Sequence, residues 1–287
     1  MLAIYKKELR SYFTSMIGYV FIAFFLVIVG IWFFAINIAN ASASFEATLS
    51  SITFIVVLLT PILTMRLMAE ENKQKTDQLL LTSPLGAGSI VIGKLLAVIT
   101  VFGTGVLVTC IYPLILSKFG TVQFGSAYAS ILGFLMLGAA YLSMGLYISS
   151  LTESQVVAAV ISFIVFLFTV LMDSLSSLLP TDNQAAFLVF SIILIVICFV
   201  LYRMMHNLTL SVVLGLVVET GMFIAYSIKP ALFDGSVIAV FGWLSVISRY
   251  DQFYYGIFDI TGLIYYLSIT VLFAFLTTQV IRKKRWS

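Results

Sequence analysis

Eight continuously apolar runs decide what this chain can fold into. They span approximately Met16–Ile38, Ile52–Met68, Ile90–Leu116, Tyr128–Ser149, Val156–Leu179, Ala185–Tyr202, Leu208–Ile228 and Leu263–Ile281. A helix needs about 20 mostly apolar residues to cross roughly 30 Å of hydrocarbon. Inside a bilayer the backbone must satisfy its own polar groups, which leaves helices or closed barrels. A transmembrane barrel would alternate apolar and polar residues over strands of about ten, and these runs do not alternate. The expected fold is an all-α integral membrane protein, a polytopic helical bundle with about eight spans. With 62% hydrophobic and 9% charged residues, the chain lacks the polar surface of a soluble globule.

Basic residues set the orientation, because cytoplasmic loops carry an excess of Lys and Arg. An inside N-terminus places Lys6, Lys7, Arg10, Arg66, Lys73, Lys75, Lys94, Arg203 and the cluster Arg282, Lys283, Lys284, Arg285 on the cytoplasmic side. Only Lys118, Lys229 and Arg249 of the 15 basic residues fall outside. Both termini are then cytoplasmic, which demands an even number of spans. Removing Ala185–Tyr202 and Leu208–Ile228 together keeps that parity, so six spans is the alternative. The net charge of +3 reads as a topology signal: the bases sit at membrane edges and form no groove-sized patch, so membrane lipid is an expected partner and nucleic acid is not. Cys110 and Cys198 fall inside spans, where a thiol is usually a small buried filler, and no metal-ligand spacing is present.

Residues 1–15 carry Leu2, Tyr5, Leu9, Tyr12 and Phe13 with Lys6, Lys7 and Arg10 between them. They suit an interfacial helix on the inner membrane face, or a continuation of the first span. Ala41-Ser42-Ala43 resembles a cleavage site, but the preceding apolar run exceeds the roughly 7–15 residues of a secretory signal, so a retained anchor is expected. Charge concentrates in the cytoplasmic loop 66–94. Its first half is polar with both signs; its second is the apolar ridge Leu79-Leu80-Leu81, closed by Ser83-Pro84, where proline discourages helix continuation. Leu80 and Leu81 follow Thr76 and Asp77 at four residues, which separates polar and apolar faces on one short helix. Such a helix suits a groove on a soluble partner, or a resting place on lipid.

The run Pro61, Met65, Arg66, Glu70, Glu71, Thr76, Leu79, Leu80, Thr82, Ser83, Pro84, Ile90, Gly93 and Lys94 resembles the signature of the type-2 ABC exporter permeases, where it joins the second and third spans and carries the coupling helix. Near the C-terminus, Leu244-Ser245, Ser248-Arg249, Phe253, Gly256, Asp259, Tyr265, Leu267-Ser268 and Arg285-Trp286 are similar to the permease of the gliding-motility-associated ABC transporter. The likeness covers residues 1–172 and 240–287. Lys75 departs from it, since many relatives carry glycine there, and the pair of spans around 185–228 exceeds the usual six.

That resemblance implies a single permease domain, 1–287, in the bacterial cytoplasmic (inner) membrane. It implies docking of a cytoplasmic ABC ATPase dimer on Glu70, Glu71, Lys73, Thr76, Asp77, Leu79, Leu80 and Pro84, with ATP and Mg held by that partner and no cofactor in this chain. It further implies a homodimer or a heterodimer with a second permease, and an auxiliary membrane protein with an extracytoplasmic domain. The segment 233–262, rich in Trp243, Tyr250, Tyr254 and Tyr255, reads as an extracytoplasmic interfacial segment, which in relatives helps shape the external gate.

Enzyme readings find little support. Gly88 to Leu95 has phosphate-loop glycine and lysine spacing, but Leu95 stands where a Mg²⁺-binding Ser or Thr is required. Lys94 reads instead as an anchor at the cytoplasmic edge. His206 sits in a short cytoplasmic turn, and no Gly-x-Ser-x-Gly elbow occurs. Glu219 lies near the middle of a span, where a carboxylate is expensive and faces a cavity or a partner; a helix–helix hydrogen bond, extending to an intersubunit one with a partner, and a translocation-path role are the two readings. An autonomous secondary transporter or channel using Glu219 is the alternative function, and a non-transporting membrane anchor of a cell-surface complex is a third. Gly138, Ala139, Ala140, Ser143 and Gly145, with Ala158, Ala159 and Ser162, allow close helix approach. Pro61 and Pro113 are expected to kink their spans.

Overall fold

The computed structural model describes residues 1–76, 85–178, 182–205, 208–230 and 233–286, and every regular element among them is helical. The expected all-helical membrane fold is what forms. Among the described residues, six helical stretches are long and apolar enough to cross a membrane: Met16–Ile38, Phe45–Gln74, Ala87–Leu116, Phe124–Leu151, Gln155–Met172 and Ile260–Arg285. Two further long helices, Asn183–Met205 and Leu208–Ile228, carry the remaining two apolar runs. The chain packs as two compact units, Met1–Phe168 with Val246–Ser287, and Thr169–Ser245.

In the first unit, α1 (Leu2–Thr14) is separated from α2 (Met16–Phe33) by Ser15, whose extended backbone (φ −85, ψ 151) ends the helix. The N-terminal segment is thus its own helix and not a downward continuation of the first span. A π-helical turn, Phe34–Ile38, closes α2. Next come α3 (Phe45–Thr64), the short α4 (Ala69–Gln74), α5 (Ala87–Thr109) and α6 (Ile111–Leu116). The break between α5 and α6 falls at Cys110, three residues before Pro113, whose ring and missing N–H oppose an unbroken helix. Cys110 itself is half-buried.

The long α7 (Phe124–Leu151) is the central post, with 78% of its apolar window buried against its neighbours. It packs on α3, α5 and the C-terminal helix, and its small residues are what admit them. A Cβ at Gly138 would collide with the edge of the Phe102 ring, and one at Gly145 would meet the Thr64 side chain. Phe102 belongs to an aromatic stack in which Phe25 and Phe134 each lie 6.0 Å from it between ring centroids. Bundle packing thus accounts for Gly138, Ala140, Ser143 and Gly145, all buried here. Following α7, α8 (Gln155–Leu178) buries Ala158 and Ser162.

The second unit holds α9 (Asn183–Met205), α10 (Leu208–Ile228) and α11 (Ser236–Leu244). Its core gathers Ala186, Phe233 and Val237, with Phe187, Phe190 and Tyr226 against them. Gly215 lets α10 approach Cys198 of α9, since a Cβ there would lie 2.8 Å from the sulfur.

Residues 246–259 correct one expectation. Trp243, Tyr254 and Tyr255 are exposed, as an interfacial segment requires, but Tyr250 is 1% exposed. A 3-10 turn, Ser248–Tyr250, and α12 (Asp251–Tyr254) turn back into the first unit. There Ser130 Oγ donates to the Phe253 carbonyl at 2.6 Å and Tyr250 donates to the Ser130 carbonyl at 3.1 Å. A phenol whose hydroxyl finds a carbonyl to bond can be buried without leaving that hydroxyl unsatisfied. The last helix, α13 (Ile260–Trp286), returns to the end that holds α1. Lys284 donates to the Ser150 carbonyl at 2.9 Å and Arg285 to the Leu85 carbonyl at 3.4 Å, which places both termini at one end.

Candidate functional site

At that end, α1, α4 and α5 meet in a buried knot of charge. Helix α1 turns Ile4, Glu8 and Tyr12 inward, one every fourth residue and so on one face. Ile4 fits because Gly93 of α5 has no side chain; a Cβ there would stand 3.2 Å from Ile4. Tyr12, fully buried, donates to the Leu63 carbonyl at 2.6 Å. Removal from water pushes its phenol pKa well above the ordinary value, in spite of the Arg66 charge.

Lys94 lies at the centre and is 1% exposed. Its ammonium donates to Glu8 Oε1 at 2.9 Å and to the Leu67 carbonyl at 2.7 Å, and it faces Glu71 Oε2 at 2.8 Å as an ion contact. Lys7 donates to Glu71 Oε1 at 2.9 Å from the outer side. Burial alone would lower the Lys7 pKa, but the hydrogen bond and charge of Glu71, followed by Glu8, outweigh it and hold it above 10.5. Two cations and two carboxylates thus balance in a space where an unpaired charge would be costly.

Lys94 is therefore not the lipid-edge anchor expected from its sequence neighbourhood. Snorkelling needs open headgroup space next to the stem, and here α1 covers it and supplies Glu8. The Gly88 to Leu95 spacing lies on the first turns of helix α5, so it forms no loop to cradle a phosphate.

The corner between α3 and α4 is fixed just as closely. Ser149 of α7 accepts from the Met68 and Ala69 amides, both at 3.1 Å, and donates to the Met65 carbonyl at 3.1 Å. Asn72 donates to the Thr152 carbonyl at 3.1 Å. Arg66 donates to Ser11 and Ser15 at 2.7 and 3.1 Å and lies over the Tyr12 ring at 5.1 Å. The groups line a cleft of about 460 Å³ bounded by Lys7, Glu70, Glu71, Thr76 and Lys94.

Of the residues singled out in this loop, the structure gathers Glu71 into the knot and leaves Glu70 half-buried beside Arg66, at 3.6 Å. Lys73 is exposed on the outer face of α4. The helix ends at Gln74, and Thr76 lies in the turn beyond it, so Thr76 is not on a helix as its spacing to Leu80 suggested. Asp77, Leu79, Leu80 and Pro84 lie outside the described residues, as does His206. Lys75 caps α4 in the left-handed region, φ 56 and ψ 18, where a Cβ crowds the following carbonyl. Glycine, the residue many relatives carry, has no such cost. Lys75→Gly is expected to raise stability by about 1 kcal/mol and Lys75→Val to lower it, as read from denaturation midpoints in detergent.

Sequence reasoning missed Glu8, Ser149 and Asn72. Glu8 carried a signal: an acid on the apolar face of an amphipathic helix, in register with Ile4 and Tyr12. In the second unit, half-buried Glu219 accepts a hydrogen bond from Ser191 of α9 at 2.7 Å, within the chain.

A polytopic helical bundle with both termini at one end, and the charged corner Arg66–Thr76 held at that end to three of its helices, defines a multi-pass membrane protein. The chain belongs to the ABC-2 transporter family: residues 4–214 match the family described as ABC-2 family transporter protein. No curated protein matches it. It is a membrane permease of an ABC transporter, the transmembrane component of a system whose family works with a cytoplasmic ABC ATPase.

Proposed function

We propose that this permease is the exporter-type subunit of an ATP-driven transporter, coupled to its ATPase through the loop 66–94. The observation that carries the reading is the double engagement of Glu71. One carboxylate oxygen holds Lys7 on α1 and the other faces Lys94 on α5, while the same corner is pinned to α7 by Ser149. A push on α4 therefore reaches three helices through short contacts at Glu71 and at the Met68 and Ala69 amides. ATP and Mg belong to the partner, and ATPase closure shifts the bundle between inward and outward states only so far as it binds one of them more tightly.

The working unit in this reading is a dimer, with itself or with a second permease, in a bacterial cytoplasmic membrane. The gliding-motility likeness of residues 244–286 adds an auxiliary membrane protein with an extracytoplasmic domain. In this reading Lys73, exposed on α4, and the apolar residues Leu79 and Leu80 are the docking contacts, whereas Glu71, engaged by Lys7 and Lys94, transmits. Co-purification from the native membrane tests this directly. Wild type is expected to retain an ABC ATPase, and a Leu79→Asp, Leu80→Asp double variant that inserts normally is expected to lose it, since a charge on an apolar anchor removes most of its docking energy. Equal retention by both would exclude the loop as the docking site.

A further inference from the structure

We infer that the opposite end of the first unit carries a preformed binding site for an amphiphile with a cationic amine headgroup, seated between an apolar lobe and the Glu46 carboxylate. Two adjoining recesses share Ser42 and Ala43 as a common wall. The first, of about 310 Å³, is lined by Ile38, Ala41, Leu116 and Phe119, with Asn37 at its back. The second, of about 540 Å³, is polar and is lined by Ser44, Glu46, Gln123, Ser126, Tyr254 and Tyr255. Their sizes fall in the range of small-molecule sites, about 300–1,000 Å³.

The dividing wall is held in place. The π-helical turn Phe34–Ile38 points Asn37 inward, 2% exposed, and π-turns recur at functional sites. Its amide donates to the Ser42 and Ser44 carbonyls, both at 2.9 Å, and its oxygen accepts from Thr48. On the far side Gly256, at φ +74, lets the chain turn tightly against Ser126, where a Cβ would collide. That turn presents Tyr254 and Tyr255 to the cleft with their rings 5.2 Å apart.

Charge selects the ligand. Glu46 is 7% exposed and accepts a hydrogen bond from Ser126. Among the described residues no Lys or Arg nitrogen lies within 4.0 Å of it. A carboxylate in a recess with no protein cation beside it, flanked by two exposed phenol rings, is complementary to an ammonium group, which gains from the charge and from the ring faces alike. The apolar lobe next to it takes the hydrocarbon chain. This site stands independently of ATPase coupling, because binding is read without any partner.

The test uses the full chain in a non-ionic amphipol, titrated calorimetrically with octyltrimethylammonium below its micellar concentration. Saturable binding is expected, weakened about tenfold by Glu46→Gln, which keeps an acceptor for Ser126. Tyr255→Leu, at a side chain 72% exposed and so without consequence for folding, is expected to weaken it about threefold. Octyl glucoside, with the same chain and an uncharged polyol head, is expected not to compete. Dihexanoylphosphatidylethanolamine separates the sources: displacement assigns a membrane aminolipid, its failure a single-chain solute, and both support the site. Unchanged affinity in Glu46→Gln, unchanged affinity in Tyr255→Leu, equal competition by the glucoside, or non-saturable uptake would each overturn it.

Discussion

Lys94→Met is expected to destabilise the permease by about 3–5 kcal/mol, the cost of removing one partner from a buried ion cluster. The methionine keeps most of the volume, so the loss is electrostatic. Glu8 and Glu71 would face each other with only Lys7 between them, and Lys7 is 60% exposed along its side chain. The Leu67 carbonyl would lose its donor as well. Hydrogen exchange should show α1 and α4 opening together, because both are held through the same ammonium. The triple variant Lys94→Met, Glu8→Gln, Glu71→Gln is expected to recover most of the stability, since a buried ionic group replaced as a whole is often neutral. Should Lys94→Met melt like wild type, the knot contributes nothing to the fold.

Gly138→Val carries the second large effect, about 3 kcal/mol, at the upper end of the overpacking range. The first added carbon would collide with the edge of the Phe102 ring, and neighbouring rings limit its retreat. Phe21 is 6.4 Å from it on one side, with Phe25 and Phe134 at 6.0 Å. Interiors packed to crystal density transmit such a displacement, so α5 must move away from α7. The double variant Gly138→Val, Phe102→Ala should restore part of the loss by vacating the ring. Thermal denaturation in detergent reads both, and an unshifted midpoint for the single variant would mean that α5 and α7 are not in this contact.

The bundle was legible because span length, apolar continuity and the Lys and Arg asymmetry are local properties of a chain in a bilayer. Residues 66–94 stood out for the same reason, as charge where apolar residues surround it. What the sequence could not reveal depends on residues far apart along the chain. Lys94 looks like an edge lysine until Glu8, 86 positions earlier, is laid over it. Glu46 looks like a loop acid until Ser126, 80 positions later, closes on it. The Trp and Tyr content of 233–262 reads as an interfacial segment, and only the Ser130 carbonyl, far away along the chain, shows why Tyr250 goes inside. The pair Asn183–Met205 and Leu208–Ile228 was visible as apolar runs, but nothing in their composition assigns them to a separate unit.

The break at Ser15 has a bearing on how the protein is made. Helix α1 leaves the ribosome ahead of the groups that hold it: the Leu63 carbonyl, Arg66, Glu71 and Lys94 belong to segments synthesised 51 to 86 residues after their partners. Until the third span has been translated, Glu8 lacks Lys94, and α1 can rest on the membrane surface by its own amphipathic face. Its extended joint to the first span lets it do so while that span is already inserted. Completion of the knot therefore requires that the first three spans have all been made, since its last cation, Lys94, arrives with the third.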